Sequence, residues 1–238
     1  MLIGRAGYNA AMNSIDLGPV WLSLELAGLT VVILILLATP LAWWLARTRN
    51  KLRAVVAAVV AVPLVLPPTV LGFYLLLLLG PGGAIGSFWL SLTDSTLTFS
   101  FAGLVIASVI YSLPFAVQPL QTAFEAVGKK PVEAAATLGL DPWQTFFRVV
   151  VPLAKQGYIS AAALSFAHTL GEFGVVLMVG GNIPGETRVI SIAIFEDVET
   201  LNYFEAHVLS AGLLVFALIV LIGLFATNSG NALRGATR

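Results

Sequence analysis

Side chains able to bind, bend or titrate are few in this sequence and fall into three clusters. The first is Ser165-Phe166-Ala167-His168-Thr169-Leu170-Gly171-Glu172-Phe173-Gly174, which holds one of only two histidines and an acidic residue set in apolar sequence. His168 and Glu172 are four residues apart, so a helix puts them one turn apart on one face. An ionisable group inside a membrane span costs at least ~2.5 kcal/mol and therefore faces protein or a wet cavity. A His–Glu pair tying helices together ranks first, because a carboxylate repels anions. The alternative is a gate or solute path built from His168, Thr169, Gly171 and Glu172. A proton relay through the imidazole is a third reading.

The second cluster is Val62-Pro63-Leu64-Val65-Leu66-Pro67-Pro68-Thr69. Each proline removes a hydrogen-bond donor and clashes with the preceding turn, at roughly 3 kcal/mol in a helix interior. Either a tolerated kink or a broken helix lining a solute path follows, with Pro67, Pro68 and Thr69 at the break. The third cluster, Glu133-Ala134-Ala135-Ala136-Thr137-Leu138-Gly139-Leu140-Asp141-Pro142-Trp143, leads on through Phe146-Phe147-Arg148-Val149-Val150-Val151-Pro152. It reads as a short helix ending at Gly139, a turn at Asp141-Pro142, and a second helix. The alanines give the first helix a smooth face fit to dock in another protein's groove, or else an amphipathic helix lies on the membrane.

Several chemistries are missing. Two histidines far apart, with no H-E-x-x-H spacing, leave no zinc site. Neither a G-x-S-x-G elbow nor a Walker A loop is present, and zero cysteines remove thiolate chemistry. No catalytic residue or metal ligand is assigned. Work done by this chain must draw on a partner or a gradient.

The elements that position these clusters follow from composition. The chain has 238 residues, 58% hydrophobic and 10% charged, with a mean hydropathy of +0.96. Soluble chains carry about 25% charged residues, so lipid must solvate much of this one. Twelve basic and twelve acidic residues balance, which points to no nucleic-acid partner. A span needs about 20 apolar residues, and residues 20–45, 55–79, 97–120, 158–179 and 207–227 qualify. Long continuous apolar runs select helices over a barrel, giving an all-α polytopic membrane protein with about five transmembrane helices and a single domain over residues 1–238. No short apolar run ends at a cleavage site within residues 1–18, so the first helix is expected to stay as an anchor.

Ten of the twelve basic residues (Arg47, Arg49, Lys51, Arg53, Lys129, Lys130, Arg148, Lys155, Arg234 and Arg238) fall on one side, leaving Arg5 and Arg188 on the other. The basic side is cytoplasmic, which places the N-terminus outside and the C-terminus inside. Segment 121–156 is then a long cytoplasmic loop of helical composition. Segment 180–206 is external, and its apolar stretch 189–195 is a candidate re-entrant or interfacial helix.

The spacing E-A-A-x3-G-x9-I-x-L-P, here Glu133, Ala134, Ala135, Gly139, Val149, Val151 and Pro152, resembles the EAA loop of ABC-importer permeases. More narrowly, Leu64-Val65-Leu66-Pro67-Pro68, Gly80-Pro81-Gly82-Gly83-Ala84-Ile85-Gly86, Leu170-Gly171-Glu172-Phe173-Gly174 and Gly181-Asn182-Ile183-Pro184-Gly185-Glu186-Thr187 look like molybdate-transporter permease subunits. The resemblance runs from the first span to the last. Its one notable departure is His168, where the family usually has arginine. The resemblance implies a homodimer in the cytoplasmic membrane, two cytoplasmic ABC ATPase subunits and an extracytoplasmic oxyanion-binding protein. ATP and magnesium would bind the ATPase, with no cofactor in this chain. Glu133, Ala134, Ala135, Gly139 and Pro152 would couple the ATPase to alternating access. The rivals are a sulfate or tungstate permease of the same kind, and a gradient-driven secondary transporter using His168 and Glu172.

Overall fold

The computed structural model describes residues 16–235. Residues 1–15, with Arg5 and most of the stretch expected to lack a cleavage site, and the terminal Arg238 lie outside the described residues. Every element among the described residues is helical: α1 (Gly18–Arg47), α2 (Leu52–Val65), α3 (Pro68–Leu79), α4 (Ala84–Thr93), α5 (Phe101–Val127), α6 (Lys130–Thr137), α7 (Pro142–Leu153), α8 (Lys155–Gly171), α9 (Gly174–Gly180), α10 (Ile190–Glu199) and α11 (Tyr203–Gly235). α1, α5 and α11 are each long and apolar enough to cross a membrane. Counting the bent pairs α2–α3 and α7–α8 as one span apiece brings the number to five.

α1 buries Ser23, Leu26, Ala27, Thr30, Leu34, Ala38, Ala42 and Leu45, a stripe repeating every three or four residues. Ala38 and Ala42 remove bulk where α5 approaches, as close packing between membrane helices requires. Leu34, Ala38, Ala42 and Leu45 pack with Ala116, Val117, Leu120 and Phe124 of α5, and with Ala161 of α8. Half of the apolar window of α5 is buried, against 11% of that of α11. α5 is therefore the central post. α11 stands at the periphery, with Leu214, Val215, Ile219 and Ile222 exposed.

Two expected spans are not continuous. Residues 55–79 break at Leu66-Pro67, where α2 and α3 meet at 112°. A residue before proline is pushed out of the helical region, and here Leu66 and Pro67 both precede one. Leu66 lies at ψ 138° and Pro67 at ψ 136°, so the chain is extended at both. The broken-helix reading holds and the mild kink does not. Residues 158–179 break at Glu172, itself extended at φ −69°, ψ 131°. The chain then makes the short helix α9 instead of continuing α8.

Other boundaries shift with local packing. α5 runs to Val127 instead of stopping at residue 120, because Phe124 remains buried beside Trp43 and nothing breaks the helix until Gly128 at φ +66°. α11 begins at Tyr203 and continues to Gly235, beyond the expected residues 207–227 at both ends. The apolar stretch 189–195 is helical from Ile190 on, within α10. α4 was not foreseen: Gly83 and Gly86 let its first turn press on the Leu77, Leu78 and Gly80 carbonyls, where any side chain would collide.

Candidate functional site

Segment 121–156 folds as its sequence dictates. α6 ends in a Schellman turn: Gly139, at φ +82°, donates to the Ala136 carbonyl at 3.0 Å and Leu140 to the Ala135 carbonyl at 3.1 Å. Asp141 then caps α7, its Oδ1 accepting from the Gln144 amide at 2.8 Å, with Pro142 in the first turn. Pro152 has no N–H to continue the ladder, and residues Phe146–Val150 widen into a π turn in which Val151 donates to the Phe146 carbonyl. Ala135 is buried under α6, while Glu133, Ala134, Gly139 and Pro152 are exposed. Leu138 and Trp143 are 82% and 74% exposed, large apolar groups held outward on a firmly capped turn. Arg53 pairs with Glu125 at 2.7 Å and Arg47 donates to the Gly128 carbonyl at 3.3 Å, which anchors the root of this segment to α1 and α2.

Inside the membrane region the two breaks adjoin. A Cβ placed on Gly174 would stand 2.8 Å from Pro68 Cβ, and one on Gly72 would stand 2.9 Å from Met178 Cβ. α3 and α9 thus touch nearly backbone to backbone, continued by Leu75 and Leu79 against Val175 and Val179. Pro67, Pro68 and Thr69 are exposed at the start of α3, and Gly171 is exposed at the end of α8.

Glu172 is 5% exposed. Its Oε1 accepts from the Val175 amide at 2.8 Å, so the carboxylate caps α9 from inside the break. The Ser191 hydroxyl donates to the Glu172 carbonyl, which ties the break to α10. Oε2 has no hydrogen-bond partner among the described residues.

His168 does not pair with Glu172. Its Nδ1 lies 2.9 Å from Ser112 Oγ on α5, and Ser112 Oγ lies 3.0 Å from Thr169 Oγ1. Phe115 stacks on the imidazole at 3.9 Å between centroids, and Tyr111 lies at 4.9 Å. The expected His–Glu tie fails for a geometric reason: α8 ends at Gly171, so Glu172 leaves the helical face it would have shared with His168. Ser112 and Ser191 went unread in the sequence. Ser108 and Ser112, one turn apart in the most buried span, were the available signal for the first. Ser191 offers no comparable pattern.

Residues 181–188 form a closed loop. Ile183 donates to Thr187 Oγ1 at 3.0 Å and Thr187 donates back to the Ile183 carbonyl at 2.9 Å. Arg188 donates from Nε to Asn182 at 2.7 Å and pairs with Glu196 at 3.2 Å, while Asn182 donates to the same carboxylate at 3.0 Å. Burial, then the Glu205 and Glu196 charges, hold the nearby Asp197 carboxyl above its ordinary range. Among the described residues no group of three or more potential metal ligands assembles.

Broken spans at the centre and a capped, outward-facing helical segment at one end define a membrane transport subunit. Residues 38–235 match the family described as binding-protein-dependent transport system inner membrane component, and the chain belongs to that family. It is 59% identical over 217 residues to the molybdenum transport system permease protein ModB of Azotobacter vinelandii, covering 91% of this chain and 96% of that one. It is 35% identical to the sulfate transport system permease protein CysT of Escherichia coli K12, covering 77% of this chain and 66% of that one. The fold is shared with a subunit of a bacterial alginate ABC transporter (TM-score 0.73, 18% identity, 93% of this chain and 81% of that one). It is shared too with one of the MetNI methionine transporter (TM-score 0.67, 17% identity, 92% and 95%). The chain is a multi-pass inner-membrane permease component of an ABC importer.

Proposed function

We propose that this permease carries molybdate into the cell. The observation that carries the reading is the match to the Azotobacter vinelandii permease along nearly the whole of both chains. Two copies form the membrane unit, an extracytoplasmic oxyanion-binding protein delivers cargo to the outer face, and two ABC ATPase subunits seat against α6 on the inner face. The N-terminus lies outside and the C-terminus inside, in keeping with the basic residues around α6. The ATP-bound pair grips the outward-open arrangement more tightly than the inward-open one, and that difference in affinity drives the alternation.

Glu133, Ala134, Ala135, Gly139 and Pro152 form the coupling face. Its support is geometric: α6 is held by the Schellman turn and presents Leu138 and Trp143 to whatever docks there. Pro67, Pro68, Thr69, His168, Thr169, Gly171 and Glu172 form the gate region around the adjoining breaks. No ion gradient is needed as fuel.

Uptake in a strain lacking its own oxyanion systems tests the substrate: molybdate accumulates, and accumulation of sulfate without molybdate overturns the assignment. Gly139→Pro tests the coupling face. Proline cannot adopt φ +82°, so the turn opens and uptake is lost while membrane insertion persists. Normal uptake by that variant removes the coupling role.

A further inference from the structure

We propose that Ser112, with Thr169 behind it, is a positioning residue that holds His168 so that its Nε2–H is offered to the oxyanion in transit. The proposal rests on the oxyanion-import reading above. Ser112 Oγ lies 2.9 Å from Nδ1, and Phe115 covers one face of the ring. The Nδ1 edge and one face are therefore occupied, and the ring edge still available is the far one, which carries Nε2. His168 is only part-buried, and it lies one turn before the Glu172 break. Its neighbour Tyr111 belongs to the same apolar cluster as Leu71 of α3, which places the imidazole on the side of α5 that faces α3 and α9.

An oxyanion accepts hydrogen bonds, so only a protonated Nε2 binds it. A serine hydroxyl is suited to enforce this because it both donates and accepts. To a neutral ring Ser112 donates at Nδ1, which leaves the proton on Nε2. To an imidazolium it accepts from Nδ1–H, and Nε2 again carries a proton. Thr169 Oγ1, 3.0 Å from Ser112 Oγ, gives that hydroxyl a second partner in either rotation. The donor thus survives a change of charge, with the ring orientation fixed throughout. A single donor without a permanent charge holds the anion loosely, which lets it leave. Binding energy comes from the delivery protein instead.

The test uses the full permease assembled with its ATPase and binding protein in proteoliposomes, with molybdate as the probe. A glutamine amide nitrogen falls near the place of Nε2, and an asparagine amide nitrogen near Nδ1. His168→Gln is expected to keep the maximal uptake rate within about threefold. His168→Asn and Ser112→Ala are expected to lower it about tenfold or more, the size of one hydrogen bond to a charged group. Half-saturation, set at delivery, stays fixed in all three, and the amount of co-purifying ATPase reports folding. In parallel, 15N-histidine NMR of the wild-type chain in lipid has two histidines to assign, and His168→Gln removes one signal. The expected spectrum places a proton on Nε2 of His168, and Ser112→Ala alters it. A bare Nε2 with the proton on Nδ1 overturns the proposal, as does equal uptake by the Asn and Gln variants. A wild-type complex that moves no oxyanion defeats the import reading alone, and the NMR result still decides the ring's protonation.

Discussion

The two interrupted spans reach similar shapes by opposite chemistry. At Leu66-Pro67-Pro68 the helix stops because donors are missing and the preceding residues are forced into extended backbone. At Glu172 every N–H is present, and the helix stops because a carboxylate supplies an acceptor to the next helix, 2.8 Å from the Val175 amide. The first break is written into the covalent chain and persists in any surroundings. The second depends on one side chain keeping its contact. A fixed bend thus sits against a conditional one, with Gly174 pressed on Pro68 between them.

The contrast yields graded outcomes. Pro67→Ala combined with Pro68→Ala should have the largest effect, since each proline removed lifts about 3 kcal/mol of resistance to a continuous helix. The chain has no cysteine, so spin labels at positions 55 and 77 can be introduced without background. Pulsed EPR should show their separation rising toward the ~33 Å of a straight helix, with uptake abolished. An unchanged distance would mean that packing on α9, not proline, holds the bend.

Gly174→Val should come next, because its side chain must displace Pro68 at a cost of about 1–3 kcal/mol. Uptake should fall several-fold, with Pro68→Gly, which removes the Cβ that collides, relieving part of the loss. Two independent defects that simply add would argue against contact between the breaks.

Glu172→Leu removes the cap, a loss of about 0.5–2 kcal/mol, and frees α8 to extend into α9. Hydrogen exchange at Val175 should quicken and transport should weaken. Glu172→Gln keeps an acceptor for that amide and should show the smallest change of the series. If glutamine behaves like leucine, charge and not capping maintains the second break.

This asymmetry also explains what could be read from the residues. Prolines act locally, so an interruption at Pro67-Pro68 was visible without any neighbour, while the choice between kink and break took the structure. The helix end at Gly139 and the turn at Asp141-Pro142 were visible for the same reason: each involves residues within a few positions, and the structure makes the first a Schellman turn and the second a helix cap. Glu172 looked like an acid buried in a span, and the inward facing was right. Its partner was not, because the carboxylate turns forward to Val175. Ser112 is 56 residues from His168, and no local pattern joins them. Span edges moved wherever tertiary contacts, such as Phe124 on Trp43, carried a helix past its apolar window. A count of about five spans was legible because it depends on composition alone, and the structure allows three to five, the upper figure taking each bent pair as one span.

The glycine contacts between α3 and α9 have a mechanical corollary. Bulky side chains can slide by exchanging rotamers, but Gly72 and Gly174 leave no such slack. Any displacement of one short helix would therefore have to carry the other, so torsion at Leu66-Pro67 would be matched at Glu172-Phe173.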